Sequence, residues 1–166
     1  MIAIRQLTDC FAVAAAPAVD GLKAIAAQGF LTVIDVRTEA EGSSAAAPAE
    51  LLGAARAAGL SYIHIPATKH DLLTDAVLAQ MSVALQAAPG QVLAVCASGQ
   101  RAAIVWAAAT ARREPVEKIL ATLARAGFDL AFLRDDLDAQ AHRQHWNDAV
   151  PVSPASAATQ SQLVAA

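Results

Sequence analysis

Cysteine is scarce in this chain, with two residues, Cys10 and Cys96, among 166. That is too few for the disulfide framework of a small secreted domain. Basic charge is also short, with 12 Lys and Arg against 15 Asp and Glu and a formal net charge of −3. Such a balance lacks the cationic surplus that displaces counterions from nucleic-acid phosphates. Long hydrophobic runs are missing too. The longest uncharged apolar run near the middle, Ala102 to Ala111, falls far short of the roughly 18–20 residues a helix needs to cross a bilayer. What is abundant is apolar surface, 56% of residues against 16% charged, and this excludes a wholly disordered chain. About a quarter of the residues are alanine, which implies a helix-rich core with few large side chains. The length suits one domain, burying roughly 70% of the surface exposed by its unfolded chain.

At the N-terminus, Arg5 and the run from Cys10 to Ala18 superficially resemble an export signal. Asp9 abuts an apolar run of only about nine residues, and Arg5 is the one positive charge before it. A cytoplasmic location is therefore expected.

Two segments rich in β-branched residues read as buried strands, Phe30–Val36 after Gly29 and Gln91–Cys96 after Pro89-Gly90. Ser61–Ile65, stopped by Pro66, reads as a third, and Phe11–Ala15 as a weaker fourth. Helical spacing of apolar residues predicts helices over 19–28, 49–58, 75–87 (with Thr74 as N-cap), 102–112 and 116–126, with Pro115 in the first turn of the last. Alternating short strands and helices imply an α/β fold, a parallel sheet of four to five strands flanked by helices. The catalytic domain is expected over residues 1–135, with 136–166 a C-terminal extension that is partly disordered. Ligands in such sheets sit beyond the carboxyl ends of the strands.

Beyond Val95 the chain reads Cys96-Ala97-Ser98-Gly99-Gln100-Arg101 and then enters a helix. A cysteine facing a helix N-terminus has its thiolate stabilised by backbone N–H groups and the helix dipole. Small residues and Gly99 let the loop from Ala97 to Arg101 curl until successive N–H groups converge on one anion. Arg101 adds a permanent charge and a fork of donors. The expected product is an anion cradle with a nucleophile at its floor.

The Cys-x-x-Gly-x-Arg loop and the strand Val33-Ile34-Asp35-Val36-Arg37 resemble rhodanese-type sulfurtransferases. With Gly29–Arg37, Ala57–Pro66 and Ala88–Cys96, the chain is similar to the small bacterial family described both as a sulfurtransferase and as the phosphatase-like domain of beta-lactamase-hydrolase-like proteins. The resemblance covers roughly residues 5 to 130. It implies a three-layer rhodanese or dual-specificity-phosphatase-like architecture with no cofactor and no metal. In that family the domain stands alone or is fused to a persulfide-handling domain, and the length here implies the stand-alone form. Family members commonly carry a basic residue after the cysteine and Ser after the arginine. Ala97 and Ala102 stand at those places, so a catalytically silent anion-binding or sensing module is a third reading.

Sulfur and phosphate chemistry share the thiolate and the cradle. Tyrosine and dual-specificity phosphatases place five residues between cysteine and arginine and a histidine before the cysteine; this chain has four, and Val95. On that count the loop suits a terminal sulfur better than a phosphoryl group. The leading expectation is a sulfurtransferase: Cys96 takes sulfane sulfur from thiosulfate, another small sulfur-containing anion or a persulfide donor, and passes it to a thiol acceptor. A persulfide-handling enzyme is then a possible partner. The alternative is a cysteine-dependent phosphatase in which Asp71, on the loop after the third strand, protonates the leaving group.

Arg37 and His70 are candidates for a supporting role around the anion, Arg37 with a salt bridge to Asp35 or Glu39 as the competing reading. The polar stretch from Glu39 to Pro48 lies beside the site and is a candidate donor contact. His64 reads as a structural histidine within a strand. His142 and His145 lack further ligands nearby and are assigned to the surface. Cys10 reads as an inert thiol unless the fold brings it to Cys96.

Overall fold

The computed structural model describes residues 2–41 and 46–149. The elements are β1 (Arg5–Thr8), β2 (Phe11–Ala15), α1 (Gly21–Ala27), β3 (Phe30–Asp35), a 3₁₀ turn (Glu39–Glu41), α2 (Pro48–Ala57), β4 (Ser61–His64), α3 (Asp75–Ala87), β5 (Gln91–Cys96), α4 (Gln100–Thr110), α5 (Val116–Arg125), a second 3₁₀ turn (Ala131–Leu133) and α6 (Arg134–Ala149). The five strands form one sheet in the order β1-β2-β5-β3-β4.

β5 is central because its residues are apolar on both faces, as a strand covered on both sides must be. Val92, Ala94 and Cys96 face one hydrophobic cluster with the buried residues of α3, α4 and α5, and Leu93 and Val95 face another with those of α1 and α2. β5 runs parallel to β2, from Phe11 opposite Val92 to Ala15 opposite Cys96, and parallel to β3 on its other side. Helices therefore cover both faces, three layers in all. Phe11 stacks on Trp106 of α4, ring centroids 5.7 Å apart.

The sheet is mostly parallel rather than wholly so. β1 pairs antiparallel with β2 across a tight connection, and its sequence Arg-Gln-Leu-Thr buries only Leu7. The weaker strand expectation, Phe11–Ala15, is a full member of the sheet. Thr74 precedes α3, but its hydroxyl donates back to the Asp71 carbonyl (2.8 Å) rather than capping the helix. The expected boundary at 135/136 falls inside α6, where Leu137 is buried and Gln140 accepts from Arg112. The extension beyond residue 149 and the loop at 42–45 lie outside the described residues.

The parallel arrangement brings the carboxyl ends of β2, β3, β4 and β5 to one edge. Cys96, Val36 and Ala67 meet there.

Candidate active site

Cys96 is the last residue of β5, and Gln100 opens α4 after an intervening three residues. The reversal between them is made by Gly99, whose φ of +86° lies in the left-handed region. A side chain there would also meet the backbone of Ala14 at 3.3 Å. This turn points the Gly99 N–H at the Cys96 sulfur, N to Sγ 3.1 Å. The thiol itself is buried, 1% exposed, below a loop whose Ala97, Ser98 and Gln100 face solvent. The first-turn N–H groups of α4 have no partner inside the helix.

Arg101 turns inward rather than to bulk water. Its Nη1 donates to the carbonyl of Ala67 (2.9 Å) and, at 3.5 Å, to that of Val36. Nη1 and Nη2 both donate to Glu41, at 2.8 and 2.9 Å, in a bidentate pair. Glu41 is held in turn by the Thr38 N–H and hydroxyl, both at 3.0 Å. The hydrogen bond from Arg101 lowers the Glu41 carboxyl to about 2, and Glu41 raises the guanidinium pKa. The arginine side chain thus spans the ends of β3 and β4 and is clamped beside the cysteine loop.

Glu41 has no precedent in the sequence reading beyond a polar loop near the site. Its only signal there is a carboxylate on a loop following a strand that ends at the site edge.

Arg37 is not part of the cradle. It is 1% exposed and pairs with Asp35, Nη2 to Oδ2 2.6 Å and Nε to Oδ1 3.0 Å. Burial opposes its charge, but Asp35 outweighs burial and the guanidinium pKa rises. Tyr62 donates to the same carboxylate at 2.8 Å, and burial with the Asp35 charge pushes its phenol up. His64 Nε2 lies 2.6 Å from the Arg37 carbonyl, so the ring ties the two strand ends together.

Asp71 belongs to a turn suspended from Ala67. Its Oδ1 accepts from the Thr68 N–H (2.5 Å) and hydroxyl (2.9 Å). The turn fixes the carboxylate four residues from the carbonyl that holds Arg101. His70 is exposed on the same turn. His142 is exposed on α6, and the side chain of His145 lies outside the described residues. Among the described residues no group of three or more His, Cys, Asp or Glu is placed to hold a metal ion.

Cys10 does not reach Cys96. Its carbonyl accepts from the Val92 N–H at the opening of β5, whereas Cys96 lies opposite Ala15. Five residues of strand separate the two positions, about 16 Å at roughly 3.3 Å per residue, beyond the roughly 7 Å Cα limit for a disulfide.

The family model for the beta-lactamase hydrolase-like protein, phosphatase-like domain, matches residues 3–113. The chain belongs to this family. Among solved structures, a candidate phosphatase from Neisseria meningitidis is 25% identical with a TM-score of 0.71, over 82% of this chain and 97% of that one. A second candidate phosphatase, from Shewanella putrefaciens, is 17% identical with a TM-score of 0.62, over 83% and 92%. The kinase associated phosphatase shares the fold at 14% identity and a TM-score of 0.66, over 91% and 97%. No curated protein sequence matches the chain significantly.

These findings overturn the sulfurtransferase expectation and, with it, the sulfur donor, thiol acceptor and persulfide-handling partner. They place this phosphatase-like domain among phosphatase folds. A loop of four residues rather than five does not by itself select sulfur over phosphate. Counting residues measures the loop alone, whereas α4 begins immediately after Gly99 and its first-turn amides add to the ring of donors. The width of the cradle is set by strand, glycine turn and helix together. Among the described residues of this domain, no helix is long and apolar enough to cross a membrane.

Proposed function

We propose that this phosphatase-like domain hydrolyses phosphate monoesters through a covalent phosphocysteine on Cys96. The thiolate attacks phosphorus, an S–P bond forms, and the P–O bond to the leaving alcohol breaks. Asp71, protonated, gives the leaving oxygen its proton. Water then attacks phosphorus, Asp71 takes a proton back, and the S–P bond breaks to release phosphate and the thiolate. The loop amides and Arg101 bind the equatorial oxygens and the charge that builds on them. The observation that carries this reading is the Gly99 N–H on the Cys96 sulfur beside an arginine clamped by Glu41. That pairing gives a nucleophile at the floor of a preorganised site for a dianion.

Hydrolysis of p-nitrophenyl phosphate by the wild-type protein and by Cys96→Ser tests the proposal. Phosphate release is expected from the wild type, with Cys96→Ser reduced by at least about a thousandfold. Equal release by the two proteins would remove Cys96 from the chemistry. Asp71→Asn separates the acid from the nucleophile. It is expected to slow alkyl phosphates, whose alkoxide needs a proton to leave, by about 10²–10⁴-fold. p-Nitrophenyl phosphate, with its good leaving group, should lose much less.

A further inference from the structure

Two surface compartments share a wall, and one of them borders the cysteine loop. The nearer, of about 300 Å³, is lined by Ser98 and Gln100 of the loop, by Arg5 of β1 and by Asp129. The farther, of about 410 Å³, is lined by Leu120 and Ala124 of α5 and by Ala131. Gly127, Phe128, Asp129 and Leu130 line both, so the two adjoin and are taken together as one groove.

Arg5 is the basic residue in that groove. Its guanidinium rests over the Phe128 ring, 4.5 Å from the centroid, and Nη1 donates weakly to the Gly127 carbonyl at 3.4 Å. Among the described residues it forms no salt bridge. A cation is therefore held in place, without a carboxylate partner, next to the loop that is to bind phosphate. Beyond it the lining turns apolar.

Resting on the phosphatase reading, we infer that this groove binds the peptide that flanks a phosphorylated residue, with an acidic side chain at Arg5 and an aliphatic one against Leu120 and Ala124. An extended chain suits the shape. Each compartment is at the lower end of the roughly 300–1,000 Å³ of small-molecule sites, and both are open to solvent along one side. An anionic lipid surface fits poorly, because such surfaces are met by clusters of about four to eight basic residues, and the groove presents Arg5 alone. Asp129 lines both compartments and opposes a second acidic group, so the preference for one acidic side chain is a balance that substitution can shift in either direction.

The test measures fluorescence anisotropy of labelled phosphotyrosyl peptides on the Cys96→Ser protein, with Glu, Gln or Lys next to the phosphotyrosine and Leu beyond it. The Glu peptide is expected to bind about two- to fivefold more tightly than the Gln peptide, the scale of one partly exposed ion pair. Adding Arg5→Glu should reverse the order in favour of Lys, and Arg5→Lys should keep it. Because Arg5 also supports Phe128, Asp129→Asn is an independent arm that leaves that contact intact and should tighten the Glu peptide.

Unchanged order in Arg5→Glu, or no gain in Asp129→Asn, overturns the inference. So does displacement of the Glu peptide by anionic phospholipid vesicles at equal or lower concentration than by its unlabelled form. Dephosphorylation of the peptides by the wild type is read separately. Turnover without an Arg5-dependent preference removes the groove and leaves the phosphatase. An Arg5-dependent preference without turnover does the reverse.

Discussion

Glu41 shapes the site without touching a reacting atom, and Gly99 shapes it through the N–H it directs at the Cys96 sulfur. Glu41 fixes the fork of Arg101, so Glu41→Gln should loosen it to its bonds with the Ala67 and Val36 carbonyls and lower kcat/KM by about 10- to 100-fold. Its pH signature has a definite sign. The folded-state carboxyl titrates at about 2 against an ordinary 4.5. The stability it contributes is thus complete above about pH 4.5 and disappears as pH falls towards 2. Urea unfolding of wild type and Glu41→Gln should differ by a nearly constant amount from pH 6 to 8, with the difference narrowing below pH 4.5 and closing only near pH 2. A difference that does not narrow between pH 5 and pH 2.5 would count against the clamp. Gly99→Ala places a Cβ 3.3 Å from the Ala14 backbone at a φ of +86°. It should cost about 1–3 kcal/mol in the same experiment and disturb the N–H directed at Cys96. Asp35→Ala should be costlier, about 3–5 kcal/mol, because it strands the buried Arg37 charge.

The sheet's elements differ in how much they hold and in how visible they are before folding. β5 is buried on both faces, and Leu93 is fully covered. Leu93→Ala should destabilise by about 2–5 kcal/mol, whereas Leu31→Ala, at a side chain 46% exposed, should stay within about 0.5 kcal/mol. Denaturant melts of the two variants check the contrast. The same burial made β5 legible, since Val92-Leu93-Ala94-Val95 between a Pro-Gly turn and a loop leaves little choice. α3 was legible for a similar reason: Val77, Leu78, Met81 and Leu85 repeat at helical spacing. β1 was not, because Leu7 is its single buried residue and its pairing comes from the neighbouring β2. α6 was hidden likewise, its polar sequence carrying Leu137 as the one fully buried apolar anchor among its described residues. At the site, the cysteine loop could be read because its residues are contiguous. Glu41 could not, because its partner lies sixty residues away and only strand order brings them together.

Across the whole molecule, binding at the cradle must stabilise the fold, since an unfolded chain has no converging donors. An oxyanion at one hundred times its dissociation constant should add about 2.7 kcal/mol, raising the melting temperature by roughly 5–10 °C in a domain of this size. Phosphate or tungstate should produce that rise in wild type and not in Arg101→Ala, as scanning calorimetry would show. The placement of Cys10 and Cys96 at opposite ends of adjacent strands carries a chemical consequence. Should hydrogen peroxide convert Cys96 to a sulfenic acid, the chain offers no second thiol within reach to condense with it. Protection then falls to a small thiol diffusing in from outside or to condensation with a backbone nitrogen of the loop, and without either the sulfur is open to irreversible oxidation.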